Sequence, residues 1–217
     1  MDFLKKTKIL ILFAFIIIVV SQITARSDTN GGPDSDLQKA FKDSYAFEKN
    51  ELYSSAIDVL KAVYDEKNYE INLRLGWLNY LNKQYDESVN YYEIASKLLP
   101  YSIESRFGAV NPLAIQEKWD KVNEQYTSIL AIDPQNTIAN YRLGLSYYYK
   151  ADYQTANKYF EKVVNLYPFD YNSELMYAWT NYQLGKTREA ELLFKKVLLI
   201  SPDDKSALEG LGLLNKK

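Results

Sequence analysis

Four prolines in this chain stand in strict step. Pro100, Pro134, Pro168 and Pro202 are each separated from the next by 34 residues. Proline has no backbone donor and clashes with the carbonyl four residues before it, so it closes a helix rather than extending one. Before each proline lies an amphipathic stretch: YDESVNYYEIASKLLP, WDKVNEQYTSILAIDP, YQTANKYFEKVVNLYP and TREAELLFKKVLLISP. Upstream of these come RLGWLNY, RFGAVNP, RLGLSYY and MYAWTNY. Two helices per period, the second closed by proline, predict an all-α array in which each unit buries its apolar face against its neighbours.

The residues inside the period resemble the tetratricopeptide repeat family, which sets Leu-Gly before Tyr, then Ala, Phe and Pro. One copy supplies Leu143, Gly144, Tyr147, Ala156, Phe160 and Pro168, with Asn140 where a Trp would stand. Another has Leu75, Gly76, Tyr92, Ala95 and Pro100, but Asn79 for the tyrosine and Ser88 for the small alanine. A third keeps Gly185, Ala190, Phe194 and Pro202, with Ala178 in place of the glycine. An earlier copy, starting near Leu37, shows Tyr53, Ala56 and Leu60, and the tail restarts the motif at Leu211 and Gly212. The resemblance implies a right-handed superhelical solenoid of antiparallel helix pairs. Its units would run 37–68, 69–102, 103–136, 137–170 and 171–204, with a capping helix at 205–217. Gly76, Gly108, Gly144 and Gly212, and Ala56, Ala95, Ala156 and Ala190, are expected to let paired helices approach closely.

The copy at 103–136 reads as irregular. Pro100 to Gly108 is 8 residues, whereas Pro134 to Gly144 is 10. Its first helix is therefore expected to begin two residues early and the following turn to be two residues longer. Pro112 then predicts a stop or kink near Val110.

Positions spaced +4 and then +3 share a helix face. Leu73, Trp77 and Tyr80 form such a row, as do Tyr141, Leu145 and Tyr148, and Leu175, Trp179 and Tyr182; Phe41 and Tyr45 begin the series. The family resemblance implies that this face lines a concave groove. In the irregular copy the row is read as Ser105, Ala109 and Pro112, whose small side chains would form a depression between aromatic walls. Arg74, Arg106 and Arg142 each stand two residues before a glycine and are candidate anion contacts along one edge. Leu73, Tyr141 and Leu175 occupy places where the family's carboxylate clamp would carry lysines, which disfavours binding of cytosolic chaperone tails.

Composition narrows the chemistry. The 217 residues carry 26 Lys+Arg against 28 Asp+Glu, a net charge of -2, so no basic surplus is available for a nucleic-acid backbone. Cys and His are both absent, which removes disulfides, thiol nucleophiles, imidazole bases and the usual soft metal ligands. No metal, cofactor or catalytic residue is expected, and carboxylate pairs such as Asp203–Asp204 and Asp65–Glu66 read as helix-end acids.

The first 25 residues read as a targeting segment. A cationic lead, MDFLKKTK, precedes the apolar run Ile9 to Val20 and a small residue, Ala25. It is either a cleaved secretory signal, leaving a net charge of -4 after loss of Lys5, Lys6, Lys8 and Asp2, or an uncleaved N-terminal anchor. A polar linker, residues 26–36, follows. No Asn-x-Ser/Thr sequon is present, in keeping with a bacterial envelope. The expected function is a non-catalytic module of the bacterial periplasm, soluble or anchored to the inner membrane. It would bind a peptide segment or partner protein in the aromatic groove, as a scaffold in envelope assembly, secretion or export. The alternative is glycan or peptidoglycan binding by the same face, and a concave aromatic wall could also accept a second copy of the chain.

Overall fold

The computed structural model describes residues 33–215, so the leader and most of the linker lie outside the described residues. Among the described residues there are eleven α-helices and no strands. They fall into two compact units, Met1–Asp65 and Glu66–Lys217. None of these helices is long and apolar enough to cross a membrane.

The first unit holds α1 (Pro33–Lys49) and α2 (Tyr53–Lys61), which pack together as a hairpin. α1 begins four residues before the expected start at Leu37. Proline is suited to the first helical turn, where its missing donor would have had no partner. Ala56, Ile57 and Leu60 form the buried side of α2.

The second unit is a run of helix pairs: α3 (Tyr69–Leu81) with α4 (Tyr85–Leu98), α5 (Glu104–Ile115) with α6 (Trp119–Ile132), α7 (Thr137–Tyr149) with α8 (Tyr153–Leu166), and α9 (Tyr171–Gln183) with α10 (Thr187–Ile200). A last helix, α11 (Lys205–Leu214), packs on α10 and α9. Each spaced proline is the second residue after a helix end, one past the C-caps Leu99, Asp133, Tyr167 and Ser201. Helices α3, α7, α9 and α11 open on a side-chain cap, in which Asn68, Asn136, Asp170 and Asp204 accept backbone N–H groups at 2.8, 3.1, 2.9 and 2.8 Å, whereas α5, preceded by Ile103, has no such cap. Each such cap satisfies a donor that the helix itself leaves open.

The turns inside the pairs are equally periodic. Lys83, Glu117, Ala151 and Gly185 all have positive φ, at 61°, 56°, 59° and 72°, and they are 34 residues apart. Each donates its N–H to the carbonyl three residues back, closing the preceding helix. Three residues separate the helices of every pair in the second unit.

This periodicity overturns the reading of 103–136 as out of step. α5 starts within a residue of the position that the other copies dictate, its turn is no longer than theirs, and it runs through Pro112 to Ile115. Proline at 112 forfeits the one bond its N–H would have made to residue 108. Buried Val110 and Leu113 on either side hold the helix to its neighbours across that gap. Gly108 does not correspond to Gly144. A Cβ at Gly76 or Gly144 would meet the ring of its own hairpin partner, Tyr92 or Phe160, at 2.8 or 2.7 Å. One at Gly108 or Gly210 would strike the aromatic of the preceding pair, Tyr92 or Phe194, at 2.2 or 2.3 Å. Gly108 thus corresponds to Gly210, three periods on, and Val110 occupies the place of Gly144. Gly212, expected to serve close packing, has nothing within 4 Å of where its Cβ would be among the described residues.

Candidate binding site

On α3, Trp77 is 38% exposed and its ring lies 5.6 Å from that of Tyr80, which in turn contacts Tyr85 at 6.3 Å. Leu73, one turn earlier, is half-buried against the core built around Val89, Tyr92, Leu113 and Tyr126. On α7, Tyr141 sits edge-on to Phe160 at 5.9 Å, and Leu145 and Tyr148 are half-buried, Tyr148 against Tyr149 and Tyr153. On α9, Leu175, Trp179 and Tyr182 pack on the core of Ala178, Ala190, Phe194 and Val197. Trp179 stacks edge-on to Phe194 at 5.0 Å, and its indole N–H donates to Ser206 Oγ at 2.8 Å. The two tryptophans therefore differ: Trp179 ties α11 to α9, while Trp77 presents much of its ring to solvent. In the first unit, Phe41 is half-buried and Tyr45 exposed.

Ser105 and Ala109 do not line an open depression. They are 0% and 2% exposed; Ser105 Oγ shares a hydrogen bond with Ser96 Oγ at 2.8 Å, and Ala109 belongs to the core. The corrected register explains why. Thirty-four residues before Tyr141, Leu145 and Tyr148 stand Phe107, Asn111 and Ala114, of which Asn111 is exposed and the other two half-buried. Sequence reasoning missed these three because it anchored the copy on its glycine instead of on the prolines.

The arginine ladder is corrected as well. Arg74 is only 7% exposed and is no solvent-facing anion contact. Arg106 is in register with Asn72 and Asn140, which donate to the carbonyls of Glu66 and Pro134 at 3.0 and 3.1 Å; Arg106 does the same to Pro100 at 3.1 Å. Its role is to hold the loop before α5. Arg142 alone of the three is exposed.

Where α5, α6 and α7 meet, a cavity of about 640 Å³ is walled by Asn111, Ala114, Trp119, Tyr126, Leu145 and Tyr149. In the α5–α6 pair, Val110 and Val122 replace the small residues found at Gly144 and Ala156, so this pair packs more loosely than α3–α4 or α7–α8. Asn123 Nδ2 donates to Ser146 Oγ at 2.8 Å across the gap, and Lys150 pairs with Asp120 at 3.6 Å on its rim. A second cavity, about 740 Å³, lies between the start of α7 and the α8–α9 loop, with Tyr141, Phe169 and Ser173 in its wall. Both volumes suit small ligands or bulky side chains.

Residues 139–170, which comprise most of α7 and all of α8, match the family model described as tetratricopeptide repeat. No curated protein matches the chain. Among solved structures, a tetratricopeptide repeat protein from Parabacteroides merdae ATCC 43184 is similar over 84% of this chain and 73% of its own, with 21% identity and a TM-score of 0.68. A structure of MamA protein aligns over 78% of this chain and 93% of its own, with 18% identity and a TM-score of 0.66. The structure described as MamA AMB-1 aligns over 81% and 97%, with 20% identity and a TM-score of 0.64. At these identities the likeness is one of fold.

Proposed function

We propose that this chain, a tetratricopeptide-repeat protein by its fold and by the repeat at residues 139–170, is a non-catalytic scaffold that binds a peptide segment of a partner protein along the exposed side of its first helices. The single observation carrying this reading is Trp77, a large ring left substantially in solvent on a helix whose opposite face is already packed in the core. Exposed aromatic clusters on soluble chains mark interaction sites, because apolar area left in water is recovered by association. The cationic lead and apolar run of the first 25 residues support a role in the bacterial envelope, in assembly, secretion or export.

A photoreactive amino acid introduced at Trp77 tests this in envelope extracts. It should form a covalent adduct with another protein, whereas the same group at exposed Glu93 on α4 should not. Adducts from both sites or from neither, or retention of the protein on peptidoglycan alone, would remove the peptide-binding reading. Melting separates the two tryptophans. Trp77→Ala should cost ~1–2 kcal/mol of stability, in line with a partly covered ring, and Trp179→Ala ~3–5 kcal/mol, since its packing and hydrogen bond join two helices.

A further inference from the structure

The two cavities of the second unit share one residue. Arg142 contributes to both, with Ile138 and Tyr141 on the side of the first and Leu145 and Tyr149 on the side of the second. Its side chain is exposed and has no acidic partner among the described residues. Tyr149 and Trp119, at the second cavity, are 79% and 57% exposed. In the wall of the first, Ser173 is 1% exposed and its Oγ has no hydrogen-bond partner among the described residues. Asp170 also lines the first cavity but accepts the Ser173 N–H. A guanidinium without an ion-pair partner between two hollows with largely apolar walls is complementary to one anion flanked by two apolar groups.

We infer that α7 and its neighbours bind an extended peptide segment carrying an acidic residue on Arg142 and a bulky apolar residue in each cavity. The spacing follows from helix and strand geometry. The centres of the two pairs of lining residues, 139.5 and 147, are 7.5 residues apart, or ~11 Å at the helical rise. An extended chain covers that in three to four residues at ~3.3 Å each, and its side chains return to the same side every second residue. The segment is therefore apolar, any residue, acidic, any residue, apolar. The acid makes a forked pair with Arg142.

This inference rests on the peptide-binding reading above and names the chemistry of its ligand. A phage-displayed library of random decapeptides, panned on the full chain, tests both. Enriched peptides should carry Asp or Glu with a bulky apolar residue two positions away on each side. A fluorescein-labelled copy of the most enriched peptide should lose ~10-fold or more in affinity when its acid becomes the amide, as expected for a charge-assisted contact. It should lose as much against Arg142→Gln, and the two changes together should cost little more than either. Arg142→Gln should leave the melting temperature unchanged, since the side chain is exposed. Enriched peptides without an acid, or equal binding to Arg142→Gln, overturn the inference. If such peptides are still weakened by Trp77→Ala, the broader peptide-binding reading stands. Apolar residues spaced by seven or eight would point to a helical partner and overturn the extended segment. No enrichment at all would remove both readings.

Discussion

Glu174 shows how one residue can break a repeat's local rule. It stands in register with Asn72, Arg106 and Asn140, each of which donates to a loop carbonyl six residues back. A carboxylate cannot donate, and Glu174 instead accepts from Lys196 on α10 while fully buried, leaving Oε2 without a hydrogen-bond partner. Burial pushes its carboxyl above the usual carboxylate range, with Lys196 opposing that shift. A raised folded pKa means that the native state holds the proton more tightly than the unfolded chain does. The resulting stability is therefore full below the unfolded value and is lost as pH rises through the folded one. Above that range Lys196 must offset a buried charge. Lys196→Met should cost ~3–5 kcal/mol at pH 7, because it strands that charge. The loss should be smaller at pH 4, where a carboxyl with a raised pKa already holds its proton. Glu174→Gln should be far milder and should flatten the pH dependence. Urea denaturation at pH 4 and pH 7 checks each of these.

At the scale of the helix, the glycines set how closely elements approach, and their effects differ in sign. Gly144→Ala forces a methyl to 2.7 Å from the Phe160 ring and Gly108→Ala to 2.2 Å from Tyr92, so both should destabilise by ~1–3 kcal/mol despite the better helix propensity of alanine. Gly212→Ala meets nothing within 4 Å and should stabilise α11 by ~0.5–1 kcal/mol. Thermal melts of the three variants test this ordering. The same helices mark how far the sequence could be read. Helix α5 was expected to stop near Val110 because proline is a local breaker, but burial of Val110 and Leu113 outweighs one lost hydrogen bond. The left-handed turn residue Glu117 shows that α5–α6 keeps the common turn. That register moves the exposed row from Ser105 and Ala109 to Phe107, Asn111 and Ala114.

At the scale of the molecule, an array of helix pairs derives its stability from contacts between neighbours, so its ends are supported on one side only. Within the second unit, α11 rests on α9 and α10, whereas α7 is flanked on both sides. Hydrogen exchange should therefore release the α11 amides well before those of α7 and α8, and uniform protection across the unit would contradict a neighbour-stabilised array. The helical repeat, its period, its loop prolines and the acidic cap at Asp204 follow from the amino-acid sequence alone. Each is a short-range property, set by a missing donor, a capping side chain or the angular spacing of apolar residues. Which aromatic rings stay in water was decided only by tertiary packing. Trp77 and Trp179 occupy the same place in the period, yet Trp179 is half-buried against Phe194 of α10 and hydrogen-bonded to Ser206 of α11, while Trp77 remains exposed. Exposure depends on what the neighbouring element brings to a position, and no spacing within a single copy encodes that.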